Sequence, residues 1–293
     1  MRKKRALIIA TLLLTILILQ SGCSKKYEPG TALNNSKKEI FTQWESYAGY
    51  SLDEESGDIQ VPFLDFNQEY NDFCGIIKSV ELLPVNDLIR IRSFNILQGG
   101  ENQDYKIRTL SVQFDKLKPG KVNINGLRLV FQDNSTKSWY IGNWLIDIRN
   151  DCEEKNLELG IREIQLSELY RYKFTLKNVS NQDAVVKGLV FDSLKDVDFT
   201  KFKISDTYDN MNAQMHDISD YTLHPDEEKV FDYYVEKPEK LNEGTRFWYI
   251  KPFLKYTQNN KERLFPLDST IYSGIFTDED IKYIIANDRL YEE

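Results

Sequence analysis

The strictest constraint on this chain is the two-residue period of its apolar side chains. Tyr170, Tyr172, Phe174 and Leu176 alternate with Arg171, Lys173, Thr175 and Lys177. Successive side chains of a strand point to opposite faces, so this run predicts a strand with one buried face. The same period runs through Ile89-Arg90-Ile91-Arg92, through Leu110, Val112 and Phe114, and through Phe231, Tyr233 and Val235. Val122 and Ile124 are followed by Leu127, Leu129 and Phe131, and this change of phase at Asn125-Gly126 predicts a bulge. Tyr140, Gly142, Trp144, Ile146 and Ile148 share one face, while Trp139, Ile141 and Leu145 load the other. A strand of that kind is buried on both sides or turns one side to a partner. Trp248, Ile250, Leu254 and Tyr256 form a later face, with Pro252 marking an edge or a bulge.

Short polar turns separate these runs: Lys118-Pro119-Gly120-Lys121, Asp133-Asn134-Ser135 and Asn259-Asn260. No helix-length pattern lies between them. That argues against βαβ units and for antiparallel sandwiches or barrels. The chain is therefore expected to be mainly β, with two antiparallel β-sandwich-like domains in tandem, over 73–152 and 157–276. The boundary falls in the charged, aperiodic stretch 150–156. Hydrophobic residues make up 41% of the 293, enough for two cores.

Two short helices are expected outside the sandwiches. Ser36-Lys37-Lys38-Glu39 fits a capping box, and Ile40, Phe41, Trp44, Tyr47 and Ala48 follow at helical spacing before Gly49. This predicts a helix over about 36–48 and an irregular acidic remainder to residue 72. Near the C-terminus, Thr277-Asp278-Glu279-Asp280 gives an N-cap with acids in the first turn, and Ile281, Ile284 and Ile285 form a narrow apolar stripe. The helix should end near Asn287, with a tail to 293.

The first residues carry an address. Met1-Arg2-Lys3-Lys4-Arg5 is basic, and the fourteen residues 6–19 are uncharged. Fourteen is short of the roughly 20 apolar residues that span a bilayer and matches a signal-peptide core. Gln20-Ser21-Gly22-Cys23 follows, with Gln20 where a lipobox commonly has Leu. Small residues before a Cys at this place resemble the lipobox of bacterial prolipoproteins. That resemblance implies cleavage after residue 22, a lipid on the Cys23 sulfur and acylation of the new amino terminus. An ordinary secretory signal with an incidental Cys23, or an uncleaved anchor, are the other readings of the same segment. Residues 23–35 read as a flexible tether containing Pro29-Gly30. The chain from Cys23 onward has 34 basic and 46 acidic side chains, a net charge of −12. So acidic a body argues against nucleic acid as a partner and against lying flat on anionic lipid. The expected location is lipid-anchored, on the extracytoplasmic side of a bacterial membrane.

In the second half, the turn 178–183 between two strands and the later turn 223–228 resemble bacterial immunoglobulin-like sandwich modules, over about 160–256. No named family is implied by that style of strand and turn.

Chemistry-bearing residues are few. Three Cys exclude a disulfide-dense scaffold, and two His leave little for a His-rich metal site. Cys74 and Cys152 bracket the first sandwich; they form either a disulfide closing a loop of about 80 residues or two unbridged thiols. His216 lies in a loop rich in Asp, Asn and Met whose ligand types suit copper or calcium but whose spacing matches neither; a solvated loop is the alternative reading. His224 sits before Pro225 in a turn. Trp139, Tyr140, Trp144 and Trp248 are either stacking platforms for a sugar, anchors for a protein, or core. No nucleophile elbow, zincin, P-loop or dinucleotide motif occurs, and no metal or cofactor is called for. The leading expectation is a non-enzymatic lipid-anchored protein that binds or assembles with a protein or glycan at the cell envelope. A glycan- or ligand-capture lipoprotein and a carboxylate-dependent hydrolase are the alternatives.

Overall fold

The structure is a computed structural model and describes residues 39–66, 74–101, 104–152, 155–163, 171–192, 199–205, 216–217, 220–235, 247–268, 270–272 and 278–292. It is mainly β. The strands are β1 (Glu39–Phe41), β2 (Trp44–Ser51), β3 (Gly57–Asp65), β4 (Ile77–Leu83), β5 (Ile89–Glu101), β6 (Lys106–Lys116), β7 (Gly120–Phe131), β8 (Thr136–Arg149), β9 (Leu157–Glu163) and β10 (Arg171–Asn178). They continue with β11 (Ala184–Val190), β12 (Phe199–Ser205), β13 (His216–Asp217), β14 (Tyr221–Leu223), β15 (Glu228–Val235), β16 (Trp248–Lys251), β17 (Phe253–Gln258), β18 (Lys261–Pro266) and β19 (Thr270–Tyr272). The one α-helix among the described residues is α1 (Asp278–Ala286).

The strands form two sandwiches. The first faces a four-stranded sheet, β1-β3-β6-β5, against a six-stranded one, β19-β16-β2-β8-β7-β4. Its core is the alternating set the sequence supplies: Ile59, Val61 and Phe63 from β3 and Leu110, Val112 and Phe114 from β6 meet Ile124, Leu127, Trp144 and Ile146. The second faces β14-β11-β17-β18 against β13-β12-β15-β10-β9 around Phe174, Leu176, Val186, Phe231 and Tyr256. The expected bulge in β7 is present, as a register shift between Ile124 and Gly126.

Several expectations are corrected. The helix expected over 36–48 is strand from Glu39 on; residues 36–38 lie outside the described residues. β2 is interior and parallel to both its neighbours, β16 and β8, so the six-stranded sheet is mixed rather than antiparallel. Both faces of β2 are covered: Trp44, Ala48 and Tyr50 in the first core, Tyr47 on the other side. A strand buried on both faces loses its alternation, and Ile40, Phe41, Trp44, Tyr47 and Ala48 then coincide with helical spacing. The acidic stretch read as irregular contains β3.

Next, the two sandwiches are not arranged strictly in tandem. β16 and β19 belong to the first sandwich, and Phe247, Tyr249, Ile281 and Ile284 lie in its core. Pro252 is the crossing point. It has no amide to donate to a ladder, and the chain passes there from β16 in one sandwich to β17 in the other. One apolar run thus serves two cores. The first sandwich is built from both ends of the chain.

Finally, β8 is covered on both faces only after Gly142, where Trp144 and Ile146 enter the first core and Leu145 packs between the sandwiches. Gly142 has φ +87°, and a Cβ there would lie 2.1 Å from a Trp44 backbone atom. Only glycine fits. The irregularity shifts the phase, so Trp139 and Ile141 before it and Trp144 and Ile146 after it all face one core.

A buried ion pair lies inside the first sandwich: Arg108 Nε stands 2.7 Å from Asp65 Oδ2, with side chains 1% and 0% exposed. Between the sandwiches, Tyr47, Trp248, Ile250 and Phe253 form a separate apolar cluster with Leu145, Phe191 and Leu264. A polar network borders it. Asp147 accepts from the Tyr47 hydroxyl at 3.0 Å and pairs with Arg149 at 2.9 Å and Lys121 at 3.5 Å, while Lys121 also reaches Asp192 at 2.6 Å. Burial, reinforced by the Asp147 charge, pushes the Tyr47 hydroxyl far above its ordinary pKa. The Asp192 hydrogen bond holds the Lys121 ammonium above its usual value.

Candidate functional site

On one flank of the first sandwich both sheets end, among the described residues. β4 is the last strand of one sheet and β5 the last of the other. The chain crosses between them through residues 84–88. Asn86 fixes that crossing: its side-chain oxygen accepts from the amides of Leu88 at 3.0 Å and Ile89 at 3.2 Å. Beneath it lies a cleft of about 220 Å³ lined by Val80, Leu82, Ile89 and Ile91, with Glu81, Val85 and Asn86 at its rim. Val80, Leu82 and Ile89 are core residues seen from outside, and Val85 is 74% exposed.

β5 borders the cleft. It pairs with β6 on one side, and no strand among the described residues pairs with the other. Its thirteen residues span about 44 Å at 3.4 Å per residue. Ile89 and Ile91 face the core, a bulge follows between Ile91 and Ser93, and Phe94 and Ile96 pack against the same core. Beyond them the strand projects, with Leu97 43% exposed. Its two cations sit at the near end, where Arg90 pairs with Asp115 at 2.8 Å and Arg92 with Glu55 at 3.5 Å, and Glu101 closes the far end. Lys118 beside Asp87 holds that carboxyl below the usual range. Proteins blunt exposed edges with proline, charges, bulges or short strands; β5 is long and has no proline or lysine from Ile89 to Glu101, while Arg90, Arg92 and the register shifts after Ile91 and Gln98 leave Ser93 to Gln98 as its regular, uncharged stretch. Chemically, the edge offers a row of backbone donors and acceptors to an extended chain, beside an apolar cleft.

The residues singled out in the sequence scatter. Trp139 and Trp144 are 1% and 0% exposed. Trp139 Nε1 donates to the Glu39 carbonyl at 3.2 Å with Phe41 beside its ring; Trp144 Nε1 donates to the Ile141 carbonyl at 3.2 Å with Trp44 and Tyr249 beside it. Trp248 is 3% exposed, between the sandwiches. None of the three presents a ring face to solvent, because the sheet faces that carry them are covered; as stacking platforms they are corrected to packing residues. Tyr140 alone stays half-exposed, with Arg289 5.1 Å from its ring centroid. Burial and the Glu45 charge raise its hydroxyl pKa.

His216 is in β13, where it pairs with Ile204, and its side chain lies outside the described residues. Cys23 also lies outside them, as does the Cys74 side chain, whose backbone is in a short 3-10 turn over Cys74–Ile76. Cys152 is half-buried between the sandwiches, in a parallel bridge with Leu264. Among the described residues no group of three or more His, Cys, Asp or Glu side chains is placed to hold a metal ion, and no helix is long and apolar enough to cross a membrane. The free edge of β5 was the feature sequence reasoning missed. The alternation of Ile89 to Arg92 placed the strand, but nothing local says that it ends a sheet.

Comparison with known proteins gives no family. No protein-family model matches the chain, and no curated protein matches it. Among solved structures, a protein of unknown function from Porphyromonas gingivalis W83 aligns over 78% of this chain and 97% of its own, with 9% identity and a TM-score of 0.24. The secreted serine protease VesC from Vibrio cholerae aligns over 77% of this chain and 51% of its own, at 6% identity and a TM-score of 0.19. The fibronectin(III)-like modules of CbhA from Clostridium thermocellum align over 81% and 94%, at 10% identity and a TM-score of 0.17. At such TM-scores none of the three bears on fold or function.

Proposed function

We propose that this is a lipid-anchored bacterial protein, held at the extracytoplasmic face of a membrane through Cys23, that binds a protein partner and carries out no catalysis. The observation that carries the reading is the long free edge of β5 beside its apolar cleft. Strand addition to such an edge supplies main-chain hydrogen bonds for affinity and side-chain pockets for selectivity. The anchor is supported by the basic, apolar and small-residue order of 1–23. Fifteen residues separate Cys23 from β1 at Glu39. Fully extended, they reach about 50 Å. The acidic body then stands off an anionic membrane with its edge free to meet an envelope protein.

The test is site-specific crosslinking in intact native cells. A photoreactive residue replaces Leu97 on β5 or, as control, Asn134 in the exposed β7–β8 turn. The reading expects one dominant protein adduct from position 97, none from 134, and loss of the adduct when Cys23→Ala releases the protein from the membrane. No adduct at 97, or the same adducts at both positions, contradicts it.

A further inference from the structure

The C-terminal end of the chain fills a gap in the six-stranded sheet. β7 pairs with β8 from Thr136 to Ile148, but β2 covers the other edge of β8 only from Gly142 to Arg149. Ser138, Trp139 and Tyr140 thus have a second edge that no named strand among the described residues takes. The tail after α1 takes it. Tyr140 N donates to the Arg289 carbonyl at 3.0 Å and Tyr291 N donates to the Ser138 carbonyl at 3.3 Å, on either side of an antiparallel Trp139–Leu290 bridge.

Two side chains set the register. The Arg289 guanidinium lies 5.1 Å from the Tyr140 ring centroid, within cation–π range. The Tyr291 ring lies over Gly126 of β7, where a Cβ would stand 2.4 Å from it. Gly126 is not among the residues of positive φ. The absent side chain there provides space rather than backbone freedom. Around these contacts the tail is loosely held, with Leu290 56% exposed. From Arg289 to Tyr291 the ties are two backbone bonds and two ring contacts, with Gln43 donating to the Asn287 carbonyl just before them, and so short a paired segment belongs to the low-stability end of a structure. The helix before it is anchored separately, through buried Ile281 and Ile284.

We infer that the edge Ser138–Tyr140, with the Tyr140 ring and the Gly126 seat, is a binding slot for an extended peptide carrying a cation and an aromatic ring two residues apart. The chain's own Arg289-Leu290-Tyr291 is its exchangeable resident. A partner segment of this chemistry displaces the tail and leaves α1 docked. The tethered tail competes at an effective concentration of roughly millimolar, so the slot in the intact chain answers only to a segment that binds better or is itself held nearby. This slot lies on β8 and does not depend on the role proposed for β5.

The probe is a fluorescein-labelled peptide of residues 287–293, Asn-Asp-Arg-Leu-Tyr-Glu-Glu, followed by anisotropy. The full chain with Tyr291→Pro lacks both the ring and the amide that hold the tail, and it should bind the peptide at least tenfold more tightly than the unaltered chain. Adding Gly126→Val, or replacing Arg and Tyr of the peptide by Ala, should abolish binding. A chain ending at Asn287 provides a second route to an empty slot. No binding by either folded variant, or binding indifferent to Gly126→Val, overturns the inference. So does failure of both variants to fold, because the tail is then a fixed part of the sandwich and not an exchangeable occupant.

Discussion

Arg108→Ala should be among the most damaging single substitutions in the first sandwich. The guanidinium and the Asp65 carboxylate are 2.7 Å apart and essentially without solvent. Deleting the arginine leaves a carboxylate inside a core built from Phe63, Leu110 and Val112. Breaking a buried pair by removing one partner costs about 3–5 kcal/mol, because the surviving charge is neither solvated nor matched. That is a large share of the roughly 5–15 kcal/mol that holds a typical domain. Replacing both partners, Arg108→Met with Asp65→Leu, removes the charges together and should return stability to within about 1 kcal/mol of the original, or above it. Urea unfolding followed by tryptophan emission reads this sandwich directly, since Trp44, Trp139 and Trp144 all lie in its core. The midpoint should fall sharply for the single variant with little change in slope. A loss below about 1 kcal/mol, or a double variant as unstable as the single one, would refute the desolvated pair as the cause.

Other consequences follow from the same geometry. Gly142→Ala forces a side chain into a left-handed backbone and against Trp44, so the cost should reach at least the upper end of the about 1–3 kcal/mol of such strain; a melt within experimental error of the original would remove Gly142 as the cause of the phase change in β8. Leu97→Lys, a charge on the exposed stretch of β5, should change stability by no more than about 0.5 kcal/mol yet abolish partner capture along the edge. Retained capture would place the partner elsewhere. The Asp183 carboxylate, 2.9 Å from His224 Nδ1, raises the imidazole pKa above its ordinary value. The protonated form is favoured in the folded chain, so this small stabilisation is present below about pH 6.5 and fades as pH rises through the folded value. NMR titration should give a His224 midpoint above 6.5 that falls on Asp183→Asn; an unchanged midpoint would assign the shift to another group.

The strands that could be read in the sequence are those with one wet face. Leu110, Val112 and Phe114 alternate because β6 turns its odd residues outward, and the bulge at Asn125 announces itself as a change of phase. β2 was hidden for the opposite reason: parallel neighbours cover both its sides, and an all-buried strand carries no period of two. Gly142 misled differently. A single residue with positive φ moves the core from odd to even positions, so Trp139 and Ile141 share a core with Trp144 and Ile146, and of the apolar groups read on the second face only Leu145 stays there. Pro252 was visible as an interruption, but which sheet lies on each side of it depends on contacts across some two hundred residues, such as Lys251 Nζ to the Gly49 carbonyl at 2.9 Å. The candidate site was illegible for a related reason. Whether a strand ends a sheet is a property of the strands that do not pair with it. The tryptophans drew attention by residue type alone, and burial decides their role.

The role proposed for the protein turns on its anchor, so the most direct measurement is of the mature amino terminus from native membranes. Detergent phase separation followed by mass spectrometry should find the protein in the detergent phase, starting at Cys23, with a diacylglyceryl group on sulfur. Cys23→Ala should move it to the aqueous phase. An unlipidated protein that begins at another residue, or membrane retention that survives Cys23→Ala, would contradict the account.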